Sequence, residues 1–145
     1  MTESQPTQDE RLLAALSHGS VILFGIGVLA GIVIWATQKE RSPYVAFQAL
    51  QAVVYQLVGV LATMAAWCCW GALYFASMVP LMTTVEQNPT QPPWFFLFSL
   101  FLMFVPLALM GLWILGGTWG AVRTLQGRGF RYLIIGDRLE RWLSA

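Results

Sequence analysis

The sequence predicts an all-α integral membrane protein: a helical bundle of three transmembrane helices, alternatively four, with an interfacial helix at its C-terminus. Three observations carry this. Of 145 residues only 8 are Lys or Arg and 7 are Asp or Glu, whereas charges make up about 25% of a typical soluble domain. Hydrophobic residues account for 57%, and mean hydropathy is +0.64. The charges are also confined, leaving uncharged runs from Leu12 to Gln38, Ser42 to Val85 and Gln87 to Val122. Each run exceeds the roughly 18 apolar residues that mark a transmembrane helix. Little chain remains for a folded aqueous body, which excludes a water-soluble enzyme on an anchor.

In chain order, residues 1–9 read as a flexible polar tail, 10–124 as the membrane domain with spans at about 12–38, 46–80 and 94–122, and 125–145 as a basic amphipathic tail. The start is too polar and acidic for a cleaved signal or an organelle transit peptide, so a prokaryotic membrane is expected. Thr7 and Glu10 have the spacing of a capping box. They predict a first helix running to about Gln38, with Trp35 at the aromatic belt and Lys39, Glu40 and Arg41 closing the span. Ser42 breaks the chain, and Pro43 suits the first position of the next helix.

No turn chemistry interrupts Tyr44 to Met78, so the middle run reads as one long helix whose first turns lie at the interface; a hairpin is the alternative. Pro80, Asn88, Pro89, Pro92 and Pro93 mark a loop with one charge, Glu86. Trp94 opens the last span, and Trp119 with Arg123 closes it. Within it Pro106 lacks a backbone donor and frees the Leu102 carbonyl, which predicts a kink. Beyond Gly127 and Gly129, the stretch Phe130 to Leu143 combines Leu133, Ile134, Leu139, Trp142 and Leu143 with charges, as in a short helix lying on the membrane.

Three crossings in series place Arg11 alone on one side, and Lys39, Arg41, Arg123, Arg128, Arg131, Arg138 and Arg141 on the other. The positive-inside rule then predicts a cytoplasmic C-terminus and an outside N-terminus in a prokaryotic cytoplasmic (inner) membrane, the plasma membrane of such a cell. Arg128, Arg131, Arg138 and Arg141 are candidates for lipid headgroup contact, each worth about 1 kcal/mol near an anionic surface. The tail is too small and interrupted to bind nucleic acid.

On a helical projection Tyr44, Gln48, Gln51 and Tyr55 share one face of the second span. Gly59, Ala62, Ala66 and Cys69 continue it, while Val53, Val54, Leu57, Val60, Leu61 and Met64 form the lipid face. Amides are costly in hydrocarbon, so the stripe must face helices, water or a partner. It is either a hydrophilic pathway or a set of amides bonded to neighbouring helices. His18, the one histidine, has no carboxylate partner within its span and reads as a hydrogen-bonded structural group rather than a proton relay.

Gly25, Gly27 and Gly31 follow no strand, which argues against a phosphate loop. Gly27 with Gly31, and Gly116 with Gly120, are instead small-xxx-small pairs for helix packing, and Gly59 belongs to the small face of the second helix. The adjacent Cys68 and Cys69 fit neither a disulfide nor a metal spacing and read as small packing residues. No catalytic residue, metal or cofactor is expected.

The segment Lys39-Glu40-Arg41-Ser42-Pro43-Tyr44-Val45-Ala46-Phe47-Gln48-Ala49-Leu50-Gln51-Ala52, preceded by a span with Leu16-Ser17-His18-Gly19, resembles the Tic-type family. That family groups the chloroplast inner-envelope import component with bacterial relatives, among them MamF-like magnetosome membrane proteins and many small proteins of unknown function. The resemblance runs from about Glu10 to Gly136 and is specific from Ser42 to Ala52. It implies a bundle of three or four helices working within a larger assembly, with Pro43, Phe47, Gln48, Gln51, Ala52 and Tyr132 as signature positions. The chain departs from the family pattern at Ala46, Phe47 and Gln48, where an Arg-Phe-His triplet is frequent, and at Tyr132 and Leu133, where a Tyr-Pro pair is.

The function expected is that of a non-enzymatic structural or assembly component of a membrane complex. Its partners are the lipid bilayer and either other membrane-protein subunits or further copies of itself. The alternative is a transporter or protein-conducting element of the Tic type using His18, Tyr44, Gln48, Gln51 and Tyr55.

Overall fold

The computed structural model describes residues 5–87, 93–133 and 135–143, and every regular element among them is helical. Asn88, Pro89, Pro92 and Ile134, and the side chains of Glu86, Trp142 and Leu143, lie outside the described residues. Three helical segments are long and apolar enough to cross a membrane: Gln8–Gln38, Pro43–Met82 and Trp94–Leu125. The protein is thus an all-α membrane protein, as its composition predicts. Its chain packs as two compact units, one made of Met1–Val60 with Trp113–Ala145, the other of Leu61–Leu112.

In the first unit, α1 (Gln8–Gly19) starts from the expected capping box. The Thr7 amide donates to Glu10 Oε2 at 2.8 Å, and the Glu10 amide donates to Thr7 Oγ1 at 3.3 Å. The helix does not run on to Gln38. It gives way at Ser20–Ile26 to a 3₁₀ run that reverses at Phe24 (φ 53°, ψ −140°), and α2 (Gly27–Gln38) returns alongside α1. The two ends of the segment meet, with Ser42 Oγ donating to Glu10 Oε1 at 2.6 Å.

Two residues make the reversal fit. A Cβ on Gly27 would collide with the Ser20 carbonyl, so only glycine lets the arms approach so closely. The Ser20 hydroxyl reaches the Ser17 and Gly27 carbonyls, at 2.8 and 3.0 Å. Hydropathy is blind to this turn, because it falls inside the uncharged run from Leu12 to Gln38.

α3 (Pro43–Gln87) is one continuous helix. Its first turn is capped by Ser42 Oγ, which accepts the Val45 amide at 3.3 Å. Val53, expected on the lipid face, is instead buried, with Val53 Cγ2 only 2.7 Å from where a Gly31 Cβ would be. The missing side chain at Gly31 opens the space that Val53 fills. Leu57, Leu61 and Met64 are exposed, as a lipid face requires.

The second unit contains the later turns of α3, then α4 (Trp94–Leu102) and the first turns of α5 (Phe104–Leu125). The break between α4 and α5 falls at Met103, next to the Leu102 carbonyl that Pro106 leaves without a donor. The Trp70 indole donates to the Ser99 carbonyl at 2.9 Å, and the Ser77 and Ser99 hydroxyls are 3.0 Å apart. Trp70 stacks on Tyr74, with centroids 5.3 Å apart. These contacts turn the Trp70, Ser77 face inward, so Cys68, Cys69 and Ala62 are exposed and not packing residues.

The C-terminal helix α6 spans Ile135–Leu143 and carries charge on one face and apolar residues on the other. It begins five residues later than the sequence predicts. The reason is that Phe130 and Tyr132 are drawn into the first unit and do not lie in a surface helix.

Candidate functional site

The polar residues of the first unit converge on one cluster. Gln48 and Gln51 lie one turn apart on α3, His18 lies near the end of α1, and the irregular segment before α6 meets all three. All three side chains are at most 2% exposed. Gln48 Nε2 and Gln51 Nε2 both donate to the Phe130 carbonyl, at 3.1 and 3.0 Å. Gln51 Oε1 accepts the Tyr132 amide at 2.9 Å. The amides therefore occupy the backbone groups of a non-helical stretch, which no helix would satisfy.

His18 closes the circuit. Its Nε2 is 3.0 Å from Gln48 Oε1, and its Nδ1 is 3.1 Å from Tyr132 Oη. Since Gln48 Oε1 can only accept, the ring donates at Nε2 and accepts the phenol proton at Nδ1. Phe130 and Tyr132 pack edge-on to the imidazole, at 5.6 and 5.5 Å between centroids. Tyr132 also stacks on Tyr55, 4.0 Å apart and 5° from parallel, while Tyr55 Oη donates to the Trp113 carbonyl at 2.8 Å. Burial, reinforced by neighbouring Tyr55, pushes the Tyr132 phenol well above the usual tyrosine range.

A third buried amide lies farther along α3. Gln56 is fully buried and donates to the Ser17 carbonyl at 2.9 Å and to Ser20 Oγ at 3.0 Å. It thereby braces the turn between α1 and α2. Sequence reasoning missed Phe130 as a partner of the α3 amides, and Gln56, Ser17 and Ser20 as partners of one another. An amide in an otherwise apolar run is the signal that could have flagged Gln56; nothing local flags Phe130, because its contribution is a carbonyl.

Of the residues singled out from sequence, His18, Gln48, Gln51 and Tyr55 are brought together here. Tyr44 is not; it is half-buried, and its hydroxyl has no hydrogen-bond partner among the described residues. Each of the five packing glycines faces a close neighbour. Gly27 meets Ser20 and Gln56, Gly31 meets Val53, Gly59 meets the Trp113 indole, Gly116 meets the Tyr55 hydroxyl, and Gly120 meets Phe130 and His18. Arg128, Arg131, Arg138 and Arg141 are exposed. The Arg131 guanidinium also lies 5.8 Å over the ring of Phe47, and Arg141 Nε donates to the Asp137 carbonyl at 3.2 Å. Among the described residues no group of His, Cys, Asp and Glu is arranged to hold a metal.

The cluster is a fastening, in which the polar stripe of α3 is filled by the chain's own tail. Compared with known proteins, residues 9–139 match the model of the magnetosome magnetite crystal formation protein family. No curated protein and no solved structure matches the chain, and the Tic-type part of the resemblance finds no support. The chain belongs to the magnetosome magnetite crystal formation protein family.

Proposed function

With that family membership as premise, we propose that this membrane protein is a non-enzymatic structural or assembly component of a membrane complex. Its site of action is the bacterial cytoplasmic membrane or a membrane derived from it. The observation that carries the reading is how the polar groups of the first unit are used. His18, Gln48 and Gln51 bond to one another and to the tail, and Gln56 bonds to the Ser17 carbonyl and the Ser20 hydroxyl at the α1–α2 turn. A conducting role would need the Gln48 and Gln51 amides to meet water or cargo, and here they hold Phe130 and Tyr132.

The reading extends to partners, either other membrane-protein subunits or further copies of this chain. Crosslinking in native membranes followed by purification in mild detergent tests it. An assembly component yields a discrete higher-mass species of reproducible composition. A monomer with no crosslinked neighbour would remove the basis of the proposal. Cargo movement or conductance in liposomes that disappears in the Gln48→Leu, Gln51→Leu double variant, while the variant stays folded, would replace it with the conducting reading.

A further inference from the structure

We infer that the segment Gln8–Gln38 is a re-entrant helical hairpin that enters and leaves the bilayer by the same face. The protein then crosses the membrane twice, through α3 and through α4 with α5. Its amino terminus, the connection at residues 39–42 and its carboxyl tail all lie on the cytoplasmic side.

Length is the first argument. α1 and α2 have 12 residues each, about 18 Å of helix at the usual rise, against a hydrocarbon core of about 30 Å. Neither arm crosses alone, and the reversal at Phe24 prevents them from adding end to end.

Position is the second argument. Glu10 touches Ser42 at one end of the first unit, and farther along α3 Ser17 and Ser20 meet Gln56. The hairpin thus descends along α3 from Ser42 to Gln56, a depth of about 21 Å. At its tip Ile22, Leu23 and Ile26 are 65, 60 and 71% exposed, which is suited to lipid and not to water. A turn at that depth needs its backbone groups satisfied by protein. Gln56 and Ser20 supply this, through the Ser17 and Gly27 carbonyls.

Charge fixes the side. The Arg11 guanidinium lies against Gly127, so the start of α1 and the tail share an end of the unit with Ser42. All 8 Lys and Arg of the chain fall at residue 11, residues 39–41 or residues 123–141, the segments that meet there. Three crossings in series split these charges between two faces. The hairpin unites them, and the positive-inside rule then places that face in the cytoplasm.

Two measurements on the full-length protein test the inference. Spin labels at Asp9 and Glu40, in a Cys68→Ala, Cys69→Ala background in lipid, should lie within about 20 Å of each other, whereas a straight helix separates them by about 46 Å. The longer distance would overturn the hairpin. Single cysteines at Gln5, Gln38 and Gln126 should resist an impermeant maleimide in intact spheroplasts, and all three should label in inside-out vesicles. Labelling of the Gln5 site in spheroplasts with the Gln126 site protected would restore three crossings. Neither readout depends on whether the protein has partners.

Discussion

Among the described residues both units bury hydroxyls, and the first also buries amides and an imidazole. The first encloses a histidine and three glutamines, all at most 2% exposed. The second encloses the hydroxyls of Thr63, Ser77 and Ser99, and packs around Trp67, Trp70, Tyr74 and Phe96. What separates them is backbone. Ser77 and Ser99 lie in helices whose peptide groups bond within the helix, and their hydroxyls bond back to the Tyr74 and Phe96 carbonyls. The first unit contains a chain reversal and an irregular segment before α6; Gln56 and Ser20 meet backbone carbonyls of the one, and Gln48 and Gln51 meet backbone groups of the other. Lipid gives apolar helices no hydrophobic reason to associate, so each unit depends on close packing and hydrogen bonds.

The largest expected effect breaks the comparison at a glycine. Gly27→Val places a branched side chain against the Ser20 carbonyl and should destabilise the first unit by about 3 kcal/mol, the upper end of overpacking costs. At Gly71 in the second unit an added Cβ would face open space, so Gly71→Val should change stability by less than about 0.5 kcal/mol. Reversible unfolding in mixed micelles measures both, and equal losses would end the distinction.

Next in size is Gln51→Leu, which strips a donor from the Phe130 carbonyl and the acceptor from the Tyr132 amide. About 2 kcal/mol should be lost, with faster amide exchange at residues 129–132. The counterpart, Ser99→Ala, should cost about 0.6 kcal/mol, a typical interhelical hydrogen bond in a membrane, and leave that exchange unchanged.

Tyr132→Phe is subtler, since the stack on Tyr55 survives and only the hydrogen bond to His18 is lost. A loss of about 1 kcal/mol is expected. The smallest effect is a pH dependence. Burial raises the Tyr132 phenol in the folded state, so on this group's account stability is full below about pH 10, where an unfolded tyrosine begins to ionise, and falls above it. Phenolate absorbance should appear later for Tyr132 than for exposed tyrosine, and Tyr132→Phe should flatten the alkaline decline. Simultaneous titration of every tyrosine would contradict the buried site.

Much of the molecule was legible without coordinates, wherever one residue acts on its own neighbourhood. The Thr7, Glu10 capping box, the start at Pro43 and the break before Pro106 follow from local backbone chemistry, and the structure has all three. The polar face of α3 was visible as a stripe, but what fills it was not. Water, a partner and the chain's own tail satisfy the same amides, and Phe130 contributes only a carbonyl, which every residue has.

The sequence by itself determined the solvent, the helical class and where the apolar segments lie, because burial in lipid is a property of composition summed over a window. Tertiary structure alone decided that Gln8–Gln38 folds back on itself and that Phe130 and Tyr132 enter the bundle. A straight helix and a hairpin of the same sequence have the same hydropathy. The choice between them rests on contacts between residues far apart in the chain, Gln56 with Ser17 and Ser20, Glu10 with Ser42, and Gln51 with Tyr132, and no local pattern records such contacts.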